Sequence, residues 1–239
     1  MNLTDGGPTT AQMDLKVCGI TRMADLRIVA RVGASFFGTI VEIPRSPRSV
    51  SVQVAAMLGR AAAIPQVCVM ETDDAAVIDE VASACEPAAI QLHTTAHPEA
   101  VGALRPALHQ DVELWVALGL PPQTDAERTP VAETVQRIGE LAEGGIARIV
   151  LDTATAAGTG GTGKVSDWEA AAEIVARSVL PIMLAGGITP ENVAEAVSTV
   201  RPQGIDVSSG VEAAPGIKDA KKLAKLAYQF HRAVSALQT

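Results

Sequence analysis

The sequence predicts an α/β protein built as a single (β/α)8 barrel. Three observations carry that expectation. The chain has 239 residues, 48% of them hydrophobic, enough for one substantial core and short for two, and close to the roughly 250 residues of a compact eight-unit barrel. Brief runs that are apolar at nearly every position alternate with longer stretches of helical period, as parallel strands buried on both faces and joined by crossover helices do. Eight such pairs can be counted, and eight parallel strands close without leaving a free edge, which favours the barrel over an open doubly wound sheet.

The expected strands are residues 15–18, 36–41, 66–70, 88–92, 113–118, 148–151, 182–184 and 204–207. Between the third and fourth, the stretch 73–86 carries Val77, Ile78, Val81, Ala82 and Cys85 on one helical face. The last helix repeats the pattern with Leu223, Leu226, Ala227, Phe230, Val234 and Leu237. Helix starts are marked by Thr21 and Ser51 as N-caps, by a Ser166–Glu169 capping box, and by Thr189-Pro190-Glu191. Two connections are long, 119–130 after the fifth strand and 153–165 after the sixth. Both fall on the strand-to-helix side, where barrels carry their active sites. Residues 1–13 read as a loose extension and 14–239 as the catalytic barrel.

The bulk numbers narrow the function. A net charge of -8 without a basic stripe argues against nucleic acid as a partner. No apolar run approaches the length of about 20 residues that spans a bilayer, and the N-terminus lacks the pattern of a signal peptide. Cys18, Cys68 and Cys85 are odd in number and lack zinc-site spacing, which points to a reducing, cytoplasmic setting. Among the four histidines, His93 closes the fourth strand and His97, His109 and His231 read as solvated; no metal site is expected.

The candidate chemistry lies at strand ends. Cys18 ends the first strand and reads either as a base or nucleophile at the mouth or as a small buried hydrophobe. Asp152 ends the sixth; an acid placed after an apolar strand is costly unless it is used or paired, so it and Cys18 form a candidate acid–base pair. The loop after the second strand holds Arg45 and Arg48 between prolines, and a guanidinium suits planar recognition of a carboxylate; for Arg45 a solvated loop position is expected. Gly186-Gly187 after the seventh strand and Ser208-Ser209 after the eighth stand where barrels cradle phosphate, so a small phosphorylated substrate is expected. Residues 158–164 match G-x-x-x-x-G-K, but Val165 stands where a P-loop needs Ser or Thr, so a glycine-rich loop over the site is the better reading.

Taken in order, Lys-Val-Cys-Gly-Ile-Thr at 16–21, Arg-Ser-Pro-Arg at 45–48, Gln-Leu-His at 91–93 and Leu-Asp-Thr at 151–153 resemble the phosphoribosylanthranilate isomerase family of tryptophan biosynthesis. Gly-Gly-Thr-Gly-Lys at 160–164, Leu-Ala-Gly-Gly-Ile-Thr-Pro-Glu-Asn-Val at 184–193 and Asp-Val-Ser-Ser-Gly-Val-Glu at 206–212 extend the resemblance over nearly the whole chain. It implies a cytoplasmic, cofactor-free aldose–ketose isomerase, monomer or homodimer, that performs an Amadori rearrangement. By that resemblance Asp152 is the general acid and Cys18, as thiolate, the general base. Arg48 holds the anthranilate carboxylate, and Gly186, Gly187, Ser208 and Ser209 hold the phosphate. His93 and Asp206 are pocket residues. Glu42 stands near the mouth where the family has an aromatic residue, and Glu71 and Thr94 are further departures. They motivate an alternative: a paralogue with another phospho-sugar substrate, or a binder of phosphorylated ligands without catalysis.

Overall fold

The computed structural model describes residues 13–94, 97–120, 130–152 and 167–238. The barrel strands are β1 (Asp14–Val17), β2 (Phe36–Val41), β3 (Gln66–Met70), β4 (Ala89–His93), β5 (Glu113–Gly119), β6 (Arg148–Asp152), β7 (Ile182–Ala185) and β8 (Gly204–Val207). Each pairs in parallel with the next, and β1 pairs with both β2 and β8, which closes the ring. The expected strands lie within one residue of these at either end. The helices are α1 (Met23–Arg31), α2 (Val52–Ala61), α3 (Ala75–Cys85), α4 (Pro98–Gly102), α5 (Val131–Glu143), α6 (Trp168–Arg177), α7 (Val193–Val200) and α8 (Ala220–Ala236). The fourth is a five-residue remnant followed by a 3-10 turn at Arg105–Ala107.

Strand alternation divides the core in two. Leu15, Val17, Phe37, Cys68, Ile90, Leu114, Ile149, Leu184 and Ile205 face outward into the layer shared with the helices. Val67, Ala89, Trp115, Ala117, Val150, Met183 and Ala185 face inward and fill the barrel. At its amino-terminal end the guanidinium of Arg148 lies 4.8 Å from the Trp115 ring centre and is paired to Asp14 at 2.7 Å.

Helix starts differ from expectation where tertiary contacts claim the capping group. Ser51 does cap α2, accepting from Val54 N. Thr21 does not cap α1; its hydroxyl donates to the carbonyl of Gly216 at 2.7 Å, and the N-cap position falls to Arg22. The cap of α6 is Asp167, which accepts from Ala170 N, while Ser166 lies outside the described residues. Thr189 opens a turn, and α7 itself begins at Val193. Val77 and Leu237, expected on inner faces, are exposed, because α3 and α8 turn a narrower stripe to the barrel. One element escaped the sequence reading. Residues Glu212–Ala214 and Ile217–Lys218 form an antiparallel hairpin after β8, with Glu212 opposite Lys218. Among the described residues no helix is long and apolar enough to cross a membrane.

Candidate active site

The inward row of β1 runs Asp14, Lys16, Cys18, and the row of β8 runs Gly204, Asp206, Ser208. Lys16 pairs in register with Asp206. Its ammonium is wholly buried and meets Asp206 Oδ2 at 2.7 Å. Burial alone would depress the Lys16 pKa, but Asp206 and the Cys18 sulfur outweigh it, and the pKa stands above its ordinary value. Cys18 is 7% exposed at the top of this row. Its backbone N–H continues the ladder to Val207 O at 2.8 Å. Burial pushes the Cys18 thiol up, Lys16 and Lys218 pull it down, Asp206 opposes them, and the thiol stands above its ordinary value. Gly38 of β2 is what leaves room for the sulfur: a Cβ there would come within 2.8 Å of Cys18 Sγ.

Arg48 reaches the same mouth from the loop after β2. Gly19, with φ +74°, lets it pass, since a Cβ at that position would stand 2.7 Å from Arg48 Cδ. The guanidinium is held in a fork by Glu212, with Nε to Oε1 at 2.8 Å and the outer nitrogen to Oε2 at 2.7 Å. Glu212 Oε1 also accepts from Lys218 Nζ at 2.8 Å. Burial would raise the Glu212 carboxyl, but Arg48 and Lys218 hold it below the usual range. Two cations share one carboxylate, so the cluster keeps a net positive charge facing the mouth. Neither Glu212 nor Lys218 was singled out from the sequence. The Pro215-Gly216 turn signal was there to predict the hairpin that joins them.

His93 at the end of β4 opens onto the mouth. Its ring is exposed by surface area, yet desolvation by the surrounding protein holds its pKa below the ordinary value, against the pull of Asp152. Gln91 Nε2 lies 3.1 Å from its Nε2, fitting a neutral ring that accepts the amide proton. Asp152 ends β6, half-buried, beside Gly119 and Ala185 in the ladder. Gly186 and Gly187 take positive φ, 86° and 66°. Their loop is strapped by Asn192, which accepts from Thr189 N at 2.8 Å and donates to Gly187 O at 2.9 Å. Ser208 and Ser209 begin the 3-10 turn after β8. Gly210 presses that turn onto the β7 loop so closely that a Cβ would fall 1.9 Å from Ile188 O.

The nine residues expected at the site thus stand at the carboxyl ends of barrel strands or in the loops that follow them. Cys68 and Cys85 are buried away from it, and the Cys68 thiol is pushed well up, first by its hydrogen bond with Cys85. The glycine-rich run 158–164 and most of the two long loops lie outside the described residues. Glu42 is not a mouth acid: it is exposed, and its carboxylate accepts from Val52 N at 3.2 Å at the start of α2. Arg45 is an exposed rim residue paired to Glu71. Two of the three departures, Glu42 and Glu71, therefore have local structural roles.

The profile of the family described as N-(5'-phosphoribosyl)anthranilate (PRA) isomerase matches residues 15–229. This chain belongs to the PRA isomerase family. It is 39% identical over 220 residues to the N-(5'-phosphoribosyl)anthranilate isomerase of Methanopyrus kandleri, covering 88% of this chain and 95% of that one. The crystal structure of the phosphoribosyl anthranilate isomerase of Thermotoga maritima superposes with a TM-score of 0.77 at 28% identity, covering 92% and 99% of the two chains. A further PRA isomerase structure, in complex with reduced 1-(o-carboxyphenylamino)-1-deoxyribulose 5-phosphate, superposes at 0.73 with 26% identity and covers the same shares.

Proposed function

We propose that this chain converts N-(5-phosphoribosyl)anthranilate to 1-(2-carboxyphenylamino)-1-deoxyribulose 5-phosphate, the Amadori step of tryptophan biosynthesis, in the cytoplasm. One observation carries the reading. A buried thiol, a carboxylate, a guanidinium and a paired glycine–serine cradle converge on one barrel mouth, in a chain of this family. The substrate carries a phosphate at one end and a carboxylate at the other. In this reading the β7 and β8 loops take the phosphate and the Arg48 edge takes the carboxylate, which places the sugar C1–C2 bond between Cys18 and Asp152.

Asp152 gives its proton to the furanose ring oxygen as the C1–O bond breaks and the anilino nitrogen lone pair forms a C1=N bond. The Cys18 thiolate takes the proton from C2. The C2–H electrons become a C1=C2 bond, and the C1=N pair returns to nitrogen. The enolamine then gains a proton at C1 and loses the one on the C2 hydroxyl, leaving the ketone. Cys18 ends protonated and Asp152 ionised, and solvent restores both. No redox partner is needed, because oxidation at C2 balances reduction at C1. Three free, buried cysteines support a reducing setting.

The test follows the fluorescence of freshly made phosphoribosylanthranilate in the presence of purified protein. Cys18→Ala and Asp152→Asn are each expected to lower kcat by about a hundred- to ten-thousand-fold, the usual worth of a general acid or base, with an unchanged circular dichroism spectrum. Turnover near the wild-type rate in either folded variant would remove that residue from the mechanism. No decay with the wild type would remove the activity itself.

A further inference from the structure

Below the thiol the barrel buries an ion pair that the reaction as written does not use. Lys16 is wholly inaccessible and Asp206 is 8% exposed. A buried pair of this kind often contributes less to stability than apolar residues of the same volume would. The layer just beneath is filled by the apolar residues Val67, Ala89, Trp115, Val150 and Met183, so the fold has no general need for charge inside the barrel. Lys16 lies on the same inward row as Cys18, two residues before it; its ammonium donates to Asp206 Oδ2 at 2.7 Å, and its charge acts on the Cys18 thiol. The absence of a Cβ at Gly38 leaves the sulfur its place. Among the described residues, buried Asp206 Oδ1 has no hydrogen-bond partner. Asp206 is therefore committed to Lys16 through one oxygen only.

We propose that Lys16, pinned by Asp206, is the positioning residue that ionises Cys18, its ammonium being the counter-charge against which the buried thiol becomes a thiolate. The proposal rests on Cys18 being the base of the reaction above. A base in this site works against its own burial, and among the groups that oppose that burial the Lys16 ammonium, on the same inward row in a low-dielectric interior, acts most strongly. Among the described residues, the charged groups that act on Cys18 are Lys16 from β1, Asp206 from β8, Lys218 from the hairpin and Arg48 from the β2 loop. Lys218 and Arg48 are both engaged by Glu212. Asp206 also keeps Lys16 protonated while Cys18 exchanges its proton, so the ammonium stays a fixed charge and does not compete as a base.

The experiment is a thiol titration that needs no substrate. In a Cys68→Ala/Cys85→Ala background, Cys18 is followed against pH by its iodoacetamide alkylation rate and its thiolate absorbance. Lys16→Met is expected to move the midpoint up by more than one pH unit, a tenfold loss of thiolate below the midpoint. The acid limb of kcat/KM should move with it, and Lys16→Arg should restore much of the shift. A residue that only filled space would lower stability and leave the midpoint where it was, so an unmoved midpoint in folded Lys16→Met overturns the proposal. Should that variant not fold, the unsubstituted protein with carbon-13-labelled lysine answers instead. The Lys16 resonance is expected to step at the Cys18 midpoint, and a flat Lys16 titration there overturns the proposal equally. Absence of turnover in the wild type would sink the assigned reaction, while the thiol titration would still report on the coupling.

Discussion

Arg48 and Glu212 meet through two hydrogen bonds of 2.8 and 2.7 Å, and Glu212 is shared with a lysine whose side chain is wholly buried. A guanidinium held along one edge is fixed in orientation before any ligand arrives, and such preorganisation lowers the cost of binding. Glu212→Gln keeps the shape and removes the charge. KM is expected to rise about tenfold with kcat changed far less, as for an interaction made equally in ground and transition states; a loss confined to kcat would contradict this. The same substitution has a pH signature. The Glu212 carboxyl is held below the ordinary glutamate value in the fold. Its contribution to stability is therefore complete above that ordinary value, about 4.3, and is lost as pH falls through the lower folded value. Urea midpoints measured from about pH 5 down to pH 2 should fall more steeply for wild type than for Glu212→Gln. Cys18, Asp152 and Arg48 could be read in the sequence because each follows a recognisable strand or stiff loop. Lys16 could be seen but not interpreted, since a lysine inside a four-residue strand acquires its meaning only from the Asp206 that register brings opposite it, 190 positions away.

The loops after β7 and β8 form one element by contact. Gly210 lies so near Ile188 O that a methyl group there, at 1.9 Å, would meet backbone with no flexible side chain to yield. Gly210→Ala must therefore part the two halves of the phosphate cradle. Misplacements of about 1 Å in a binding constellation can cost on the order of a hundredfold. The expected outcome is a KM raised at least about tenfold and weaker competitive inhibition by inorganic phosphate. Gly139→Ala is the control. It lies within α5 with nothing within 4 Å of the added Cβ, so it should stabilise by roughly 0.5–1 kcal/mol and leave KM alone. Equal effects from both would refute the contact argument. At this scale the strands were legible because burial on both faces leaves apolar runs with abrupt ends. Helix starts were less so. Thr21 has the chemistry of a cap but spends its hydroxyl on Gly216, and Glu42, which looked like a misplaced acid, serves α2. Local propensity states what a side chain can do, and distant partners decide which option is taken.

The ends of the barrel divide the labour. The mouth carries the charged cluster, and the opposite end is closed by Trp115, which is inaccessible and flanked by Phe36 and Arg148, with the Phe36 and Trp115 ring centres 5.2 Å apart. The count of eight strand–helix pairs made the closed barrel legible, but neither this plug nor the β1–β8 pairing that completes the ring can be read from periodicity. Nor does a net charge of -8 hint at a positive cluster at the mouth, since Arg48 and Lys218, which share Glu212, are averaged away in the total. If the two ends are separable, truncating the plug should cost stability without costing chemistry. Trp115→Ala leaves a cavity in the barrel interior and is expected to destabilise by about 3–5 kcal/mol, measured by urea unfolding. Because the cavity lies at the far end from Cys18 and Asp152, kcat/KM per folded molecule should stay within about twofold at a temperature where the variant remains folded, as expected when the two barrel ends serve stability and catalysis separately. A matching collapse of kcat/KM in fully folded Trp115→Ala would mean that packing is transmitted along the strands to the mouth. In that case the inward rows of β1 and β8, which run from Asp14 and Gly204 up to Cys18 and Ser208, would be the first place to look for the route.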